Sequence, residues 1–389
     1  MKKMIGTQTD LKHSNYSRVL SLIKKEGLIS KSDISKQLNL SIVTVTKVCD
    51  NLISRGFCHY SALMSSTGGR RPMGVEFNPE SRHIAVVDMS NEGCLYIALA
   101  DLDWKVVADI STSIKEDHIQ SILDTIEIQL TKLCSDSALK LNELLGCVVS
   151  IPGVENKRTG EIDTCNIESL LRVSLSGRLN KILDIPVMVE NDADLAAMGF
   201  YNISRIKNLM YLHFTEGIGL GMVVNGRLHT GAMGFAGELA SFKASDFDGE
   251  FNVLEDYASE QGFLNYYRTK CNDQKASDLN NSQLLDCFIK SLEKGSSKEQ
   301  EMIDVVCRQL GNLLALLIDL FNPEQVILGG AEKRFIDLFL TGISRHVREH
   351  STLSRFSDIE ILYREGGTLL IVEGGASMYF ESWLNKLEF

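Results

Sequence analysis

The sequence predicts an α/β chain in which a winged helix-turn-helix head precedes a larger body of two α/β lobes. Three observations predict it. The first 78 residues hold three short amphipathic helical stretches and then a strand–turn–strand pattern, with capping residues where the second and third helices should start. From Ile84 onward buried strands and helical stretches follow one another, the pattern of mixed sheets in α/β domains. Charge divides at the same boundary. Residues 1–80 carry 12 Lys/Arg against 6 Asp/Glu, a balance of +6, and the remainder carries 28 against 45, a balance of −17. A basic head on an acidic body points the head, and not the body, towards a polyanion.

In the head, residues 15–26 read as a helix with Val19, Leu20, Leu22 and Ile23 on its apolar side, stopped by Gly27. Ser30 to Asp33 can cap a second short helix through Leu38, with Ile34 and Leu38 at i and i+4. Asn39-Leu40 make a tight connection. Ser41 caps a third helix through about Ser54, ended by Gly56. Val45, Val48, Leu52 and Ile53 share one face of it and leave Thr44, Thr46, Lys47 and Asn51 for the others. Two helices joined by so short a turn form a helix-turn-helix. Its second helix offers Ser41, Thr44 and Thr46 to bases or phosphates and Lys47 to a phosphate. Phe57–Leu63 and Met73–Phe77 read as the strands of a wing around Ser65–Gly69. Arg70 and Arg71 follow the paired glycines, placed to enter a minor groove or clamp phosphates.

In the body, strands are expected at Ile84–Asp88, Cys94–Ala100, Val106–Ile110 and Leu144–Ile151, with a helix at Ile119–Cys134. A strand at Ile185–Val189 ends abruptly in Glu190-Asn191-Asp192. Polar groups at the carboxyl end of a buried strand face the crevice where open α/β sheets bind ligands. Asn offers a donor and an acceptor, and Asp an acceptor or a base; the same pair reads equally as a helix cap. Leu209–Phe214 is a strand running into Thr215–Gly221, whose spaced glycines either bring amide N–H groups close to an anion or serve a tight hairpin. Helices are expected at Leu254–Arg268, Ser282–Leu292 and Glu299–Leu320. Ala315, Leu316 and Ile318 lie in an apolar run that predicts deep burial. A strand at Val326–Leu328 reaches Gly329-Gly330, another lies at Ile359–Leu362, and a last helix starts near Gly374.

No apolar run reaches the ~20 residues that span a bilayer, and no apolar stretch follows Lys2 and Lys3. The nine cysteines are odd in number and scattered, without a CxxC. Reduced thiols and a cytoplasmic location are expected.

Taken together, several motifs in one order make the chain resemble the ROK family, which groups bacterial repressors with sugar kinases. They are Thr67-Gly68-Gly69-Arg70-Arg71, Pro152-Gly153, Glu190-Asn191-Asp192-Ala193, the glycine stretch 217–221, Gly234-Phe235-Ala236-Gly237-Glu238 and Gly329-Gly330. The resemblance implies a winged helix-turn-helix over 1–78 and a two-lobed, actin-like (ribonuclease H-like) ATPase/sugar-kinase fold behind it. The lobes would be 79–190, completed by a C-terminal helix at 374–389, and 191–373. It implies a carbohydrate site between the lobes at Asn166, Asn191, Asp192, Glu238 and Glu255. It also implies assembly as a homodimer or tetramer and double-stranded operator DNA as the partner. Asp192 matches the base that, in family kinases, takes the proton of the attacking sugar hydroxyl.

Two departures from the family pattern shape the expected function. Where kinases have Asp-x-Gly-Gly-Thr around the ATP phosphates, this chain has Asp88-Met89-Ser90-Asn91-Glu92, and Glu216 adds charge in the second loop. Like charge opposes a triphosphate, so no catalytic residue is expected and Asp192 is a relic base. The family's four zinc ligands correspond to Ser241, Asp246, Asp248 and Val253, which do not supply the thiolate and imidazole that zinc takes; no cofactor is expected. The resulting expectation is a transcriptional regulator, a repressor of carbohydrate-utilisation genes with a sugar effector. The alternative is a ROK-type sugar kinase with residual ATP-dependent phosphotransfer.

Overall fold

The computed structural model describes residues 8–62, 73–91, 93–114, 118–215, 217–239, 241–270, 279–355 and 358–386. The predicted wing turn with Arg70 and Arg71, and the charges Glu92 and Glu216, lie outside the described residues.

The head comprises α1 (Gln8–Glu26), β1 (Leu28–Ser30), α2 (Lys31–Leu38), α3 (Ile42–Ser54), β2 (Cys58–Ala62) and β3 (Met73–Phe77). Ser30 and Ser41 cap α2 and α3, accepting the N–H of Asp33 at 3.1 Å and of Thr44 at 3.0 Å. Asn39 turns the chain between them in a left-handed conformation, φ 53°. Ile34, Val45, Val48 and Leu52 close over Val19, Leu20 and Ile23 of α1. The strand β1 was not predicted. Three residues are too few to show alternation, yet they pair antiparallel with β3 and make the wing a three-stranded sheet, β1-β3-β2.

In the first lobe, β4 (Ile84–Asp88), β5 (Cys94–Ala100) and β6 (Val106–Ser113) form a meander. After α4 (Ile119–Asp136) come β7 (Gly146–Ile151), the short pair β8 (Gly153–Glu155) and β9 (Ile162–Cys165), then α5 (Leu175–Leu183), β10 (Val187–Asn191) and α6 (Asp192–Ser204). The second lobe repeats the scheme with β11 (Leu209–Phe214), β12 (Ile218–Val224) and β13 (Arg227–Leu228). It continues through the pair β14 (Lys243–Ser245) and β15 (Phe251–Val253) and the helices α7 (Glu255–Ala258), α8 (Glu260–Lys270), α9 (Asn281–Glu293) and α10 (Ser297–Phe321). The strand β16 (Gln325–Gly329), α11 (Lys333–His350), β17 (Glu360–Arg364) and α12 (Gly367–Asn385) end it. The sheet orders are β6-β5-β4-β7-β10 and β13-β12-β11-β16-β17. In each, an antiparallel meander leads and two parallel strands extend the other side.

Between the two sheets lie α6 and α12. Helix α6 is buried from Asp192 to Phe200. Glycines set its approach to α12: a methyl group on Gly199 would lie 2.0 Å from the Leu370 carbonyl oxygen, and one on Gly374 only 1.9 Å from that of Leu195. Helix α12 also covers β4 and β7, and its far end seats the head. Phe57 lies 5.1 Å from Trp383 between ring centroids, and Phe380 stands edge-on to Phe77 and Trp104. Lys24 Nζ lies 4.2 Å from the centre of the Trp104 ring and 2.5 Å from Asp103 Oδ1. One hydrophobic core therefore runs from the head through α12 and α6 to a face of each sheet.

Four expectations change. The last helix begins at Gly367, seven residues earlier than read. The stretch 254–268 is two helices, because Ser259 breaks the first, and its hydroxyl then accepts the Gly262 N–H of the second. Gly219 and Gly221 lie inside a strand, not in a loop. Leu316 is 55% exposed and Leu320 66% exposed, while Ala315 and Ile318 are buried. An apolar run on a helix covers all sides, and only the neighbours decide which side faces inward.

Replacing Gly374 by alanine tests the helix crossing. On an open helix the change stabilises by about 1 kcal/mol; here the added methyl meets backbone and should destabilise by roughly 1–3 kcal/mol. Urea unfolding measures it, and an unchanged or higher midpoint would contradict the close approach.

Candidate functional site

A cleft opens where the carboxyl ends of both sheets meet the start of α6. It encloses about 480 Å³ including its open mouth. Asn166 follows β9, Asn191 ends β10, Asp192 begins α6, Glu238 lies in the loop after β13 and Glu255 begins α7. All five predicted side chains line this one cleft.

Asn191 joins the two readings of its sequence. Its Oδ1 accepts the Asp194 N–H at 3.2 Å and caps α6, while its Nδ2 donates to the Gly153 carbonyl at 3.2 Å. The cap thus fixes the residue in the cleft wall. Asp192 is buried, and its Oδ1 accepts the Ala193 N–H at 2.8 Å. Burial, and then the nearby Asp88 carboxylate, push its carboxyl up to about 7. Asp192 Oδ2 lies 3.8 Å from His213 Nε2. Burial pushes His213 down to about 4, so this contact joins a neutral imidazole to a carboxyl and is not an ion pair. Neither ring nitrogen of His213 has a hydrogen-bond partner among the described protein groups, nor does Asp88 Oδ2.

The glycine stretch holds an anion, but it is the protein's own. Glu255 Oε2 accepts the Ile218 N–H at 2.9 Å, and Gly217 leaves room for that carboxylate. Burial raises the Glu255 carboxyl and the Ile218 N–H opposes the rise. Gly219 and Gly221 instead let β12 meet α6, where side chains would strike Ala193. Glu238 sits at the mouth with much of its surface open to solvent. Enclosure of its carboxyl end, then Asp192 and Glu255, push it up to about 7, a smaller energetic effect than the same shift at enclosed Asp192 because water screens it. On the side of β4, Asp88 Oδ1 accepts both the N–H and the hydroxyl of Ser90, at 3.0 and 2.5 Å.

The segment aligned with the family's zinc ligands is occupied by its own turn. Asp246 accepts the N–H groups of Asp248 and Glu250 at 2.9 Å and the Asn252 amide at 2.6 Å. Asp248 accepts from the Tyr266 hydroxyl, Val253 lies in β15 and Ser241 is exposed. Sequence reasoning missed His213 and the buried Asp194. The available signal was a histidine inside the apolar strand Met210-Tyr211-Leu212-His213-Phe214, directly before the glycines.

On the head, the outer face of α3 presents Val43, Thr46, Lys47, Asp50 and Ser54. Ser41 and Thr44 are less free than expected, since their hydroxyls bond each other at 2.8 Å in the cap. Lys31, Asp50 and Tyr60 form a closed set of contacts at 2.6–2.7 Å that ties α2, α3 and β2 together.

The chain is similar to several known proteins. The xylose repressor of Caldicellulosiruptor bescii is 26% identical, over 99% of this chain and all of that protein. The DNA-binding transcriptional dual regulator NagC of Escherichia coli is 27% identical, over 84% of this chain and 82% of that one. Among solved structures, a ROK family transcriptional regulator homologous to the E. coli MLC protein superposes with a TM-score of 0.79 at 22% identity, over 97% of this chain and 98% of that one. A ROK family glucokinase from Streptomyces griseus, in complex with glucose and AMPPNP, superposes with 0.62 at 17% identity, over 75% of this chain and 98% of the kinase. These likenesses show a shared actin-like fold, with the head matched only in the regulator's fuller coverage. The ROK family sequence pattern matches residues 93–352, more than half of the chain, and the chain therefore belongs to the ROK family.

Proposed function

We propose that the chain is a DNA-binding transcriptional repressor of carbohydrate genes, and that a sugar or sugar derivative in the cleft controls its hold on operator DNA. One observation carries the reading. The five side chains that the family resemblance assigns to a sugar, drawn from distant parts of the chain, meet at the start of α6, and the core of α6 runs unbroken into the head. The names of the related xylose and NagC regulators support it. A sugar that binds one arrangement of the lobes better than another would shift α6 against α12, and α12 seats the head.

The lining also suggests the charge of the effector. Asp192, Glu238 and Glu255 line the cleft, and among the described residues no lysine or arginine does. An anionic sugar meets repulsion there, whereas hydroxyls find acceptors. The kinase alternative draws on the glucokinase likeness and on Asp192 in the base position. Against it, the Ile218 amide is bound to Glu255 and the Ser90 amide to Asp88, so neither is left for a phosphate. In this reading no cofactor is used, the operator is read by Thr46, Lys47, Arg70 and Arg71 with Ser41 and Thr44 at the helix start, and two heads of a homodimer or tetramer meet a palindrome in the cytoplasm.

A thermal-shift panel tests the effector. D-xylose, D-glucose or N-acetylglucosamine should raise the melting temperature by mass action, and N-acetylglucosamine 6-phosphate should not. Asp192→Asn should weaken binding at least tenfold. ADP release with ATP and any of these sugars, abolished by Asp192→Asn, would establish the kinase instead.

His213 offers a second test. Its ring nitrogens have no hydrogen-bond partner among the described protein groups, so His213→Leu should keep or raise the melting temperature while abolishing the response to sugar. A variant that is markedly less stable yet still responds would give the residue a packing role only.

Asp192 also sets a pH dependence. Its folded value of about 7 lies above the ordinary 3.8, so the unfolded chain releases this proton first. The residue's contribution is therefore most favourable below about pH 4 and is lost as pH rises towards 7. Asp192→Asn should be more stable than the parent at pH 8, by on the order of a few kcal/mol, and the gap should narrow as pH falls and close only near pH 4. Parallel unfolding curves at both pH values would contradict this.

A further inference from the structure

The cap at Ser41 fixes where α3 begins and which side chains lead it. Val43 is 74% exposed and Ile42 is 49% exposed. No large apolar side chain among the described residues is more open than Val43. Both are β-branched, which a helix holds to one side-chain rotamer, so their methyl groups are presented rigidly. Alanine is the better helix former at such an open position, so local structure does not call for valine. The chain's other valines on this helix, Val45 and Val48, are buried in the head core.

The surroundings say what covers the pair. Val43 shares its face with Thr46 and Lys47, and Asp50 on the same face is neutralised by Lys31 at 2.7 Å. The first 80 residues carry +6 on a chain of −11. A basic face with a small rigid apolar tip suits a partner that is anionic overall and apolar at one point. The major groove of DNA has that character, because its one apolar group is the C5-methyl of thymine. The N-terminal residues of the second helix are the ones a helix-turn-helix brings to base edges.

We infer that Val43, with Ile42 beside it, packs against thymine methyl groups in the major groove, so that each half-site requires a T·A pair, in one orientation, opposite the start of α3. The inference rests on the DNA-binding reading. It adds an apolar, methyl-reading contact to the polar set of Ser41, Thr44, Thr46 and Lys47, and it makes Val43 a specificity residue rather than an affinity residue.

The test uses the full chain. Duplexes are enriched from a random pool by repeated binding, and each thymine of the resulting half-site is replaced in turn by deoxyuridine, which removes only the methyl group. Affinity is read by fluorescence anisotropy for the parent and for Val43→Ala. At one or two positions uridine should weaken the parent about 3- to 10-fold. The same replacement should change the Val43→Ala affinity less than twofold, while other thymines affect both proteins equally. An unchanged melting temperature shows that Val43→Ala is folded. Equal uridine effects in the two proteins, or none in either, overturn the inference while leaving DNA binding intact, and assign the aliphatic pair to a protein partner. Failure to enrich any duplex overturns the DNA-binding reading and this inference with it.

Discussion

The close crossing of α6 and α12 is the contact on which the rest of the structure depends. Gly199 and Gly374 bring the two backbones together with no room for a methyl group on either. That approach lets a helix pair fill the space between two five-stranded sheets. Each helix also has a second task. The first turn of α6 carries Asn191 as its cap and Asp192 in the cleft, and the last turns of α12 carry Phe380 and Trp383 under the head. A displacement at one end is therefore carried through backbone contact, which is stiffer than contact between long side chains.

At the base of the cleft, desolvation outweighs Coulomb attraction. Asp192 and His213 lie near enough to pair, yet burial drives the carboxyl up and the imidazole down, and the imidazole stays neutral. The two are not locked together as an ion pair, and the imidazole keeps a donor and an acceptor for a third group. The same logic separates this cleft from a phosphate site. The Ile218 amide, beside Gly217, is bound to Glu255, so the protein supplies its own anion where a nucleotide-binding protein would leave room for a foreign one.

Much of this was legible in the sequence. The caps Ser30 and Ser41, the strand Leu209–Phe214 and the polar junction after Val189 follow local rules of hydrogen bonding and alternation, and all appear in place. The five cleft residues came from motif resemblance, since nothing local tells Glu255 from an ordinary helix charge. The structure brings them together in one cleft. What stayed hidden depends on partners distant in sequence. Gly219 and Gly221 are strand residues because they pair with His213 and Tyr211 of β11, and glycines because Ala193 lies against them; Leu316 is exposed because none of the described residues packs over it. His213 went unnoticed because its importance comes from missing partners, which a sequence does not display.

The seat beneath the head has a consequence for the order of synthesis. The head precedes its seat in the chain by the length of both lobes, so it is made well before α12. Phe57, Phe77 and Lys24 have no Phe380 or Trp383 to rest on until residues beyond 380 are available. A nascent or prematurely ended chain can fold its three helices but leaves their aromatic underside in water, open to chaperones and proteases. Only a chain that includes α12 holds the head in register with the cleft, so the seat ties the placing of the head to the completion of the lobes behind it.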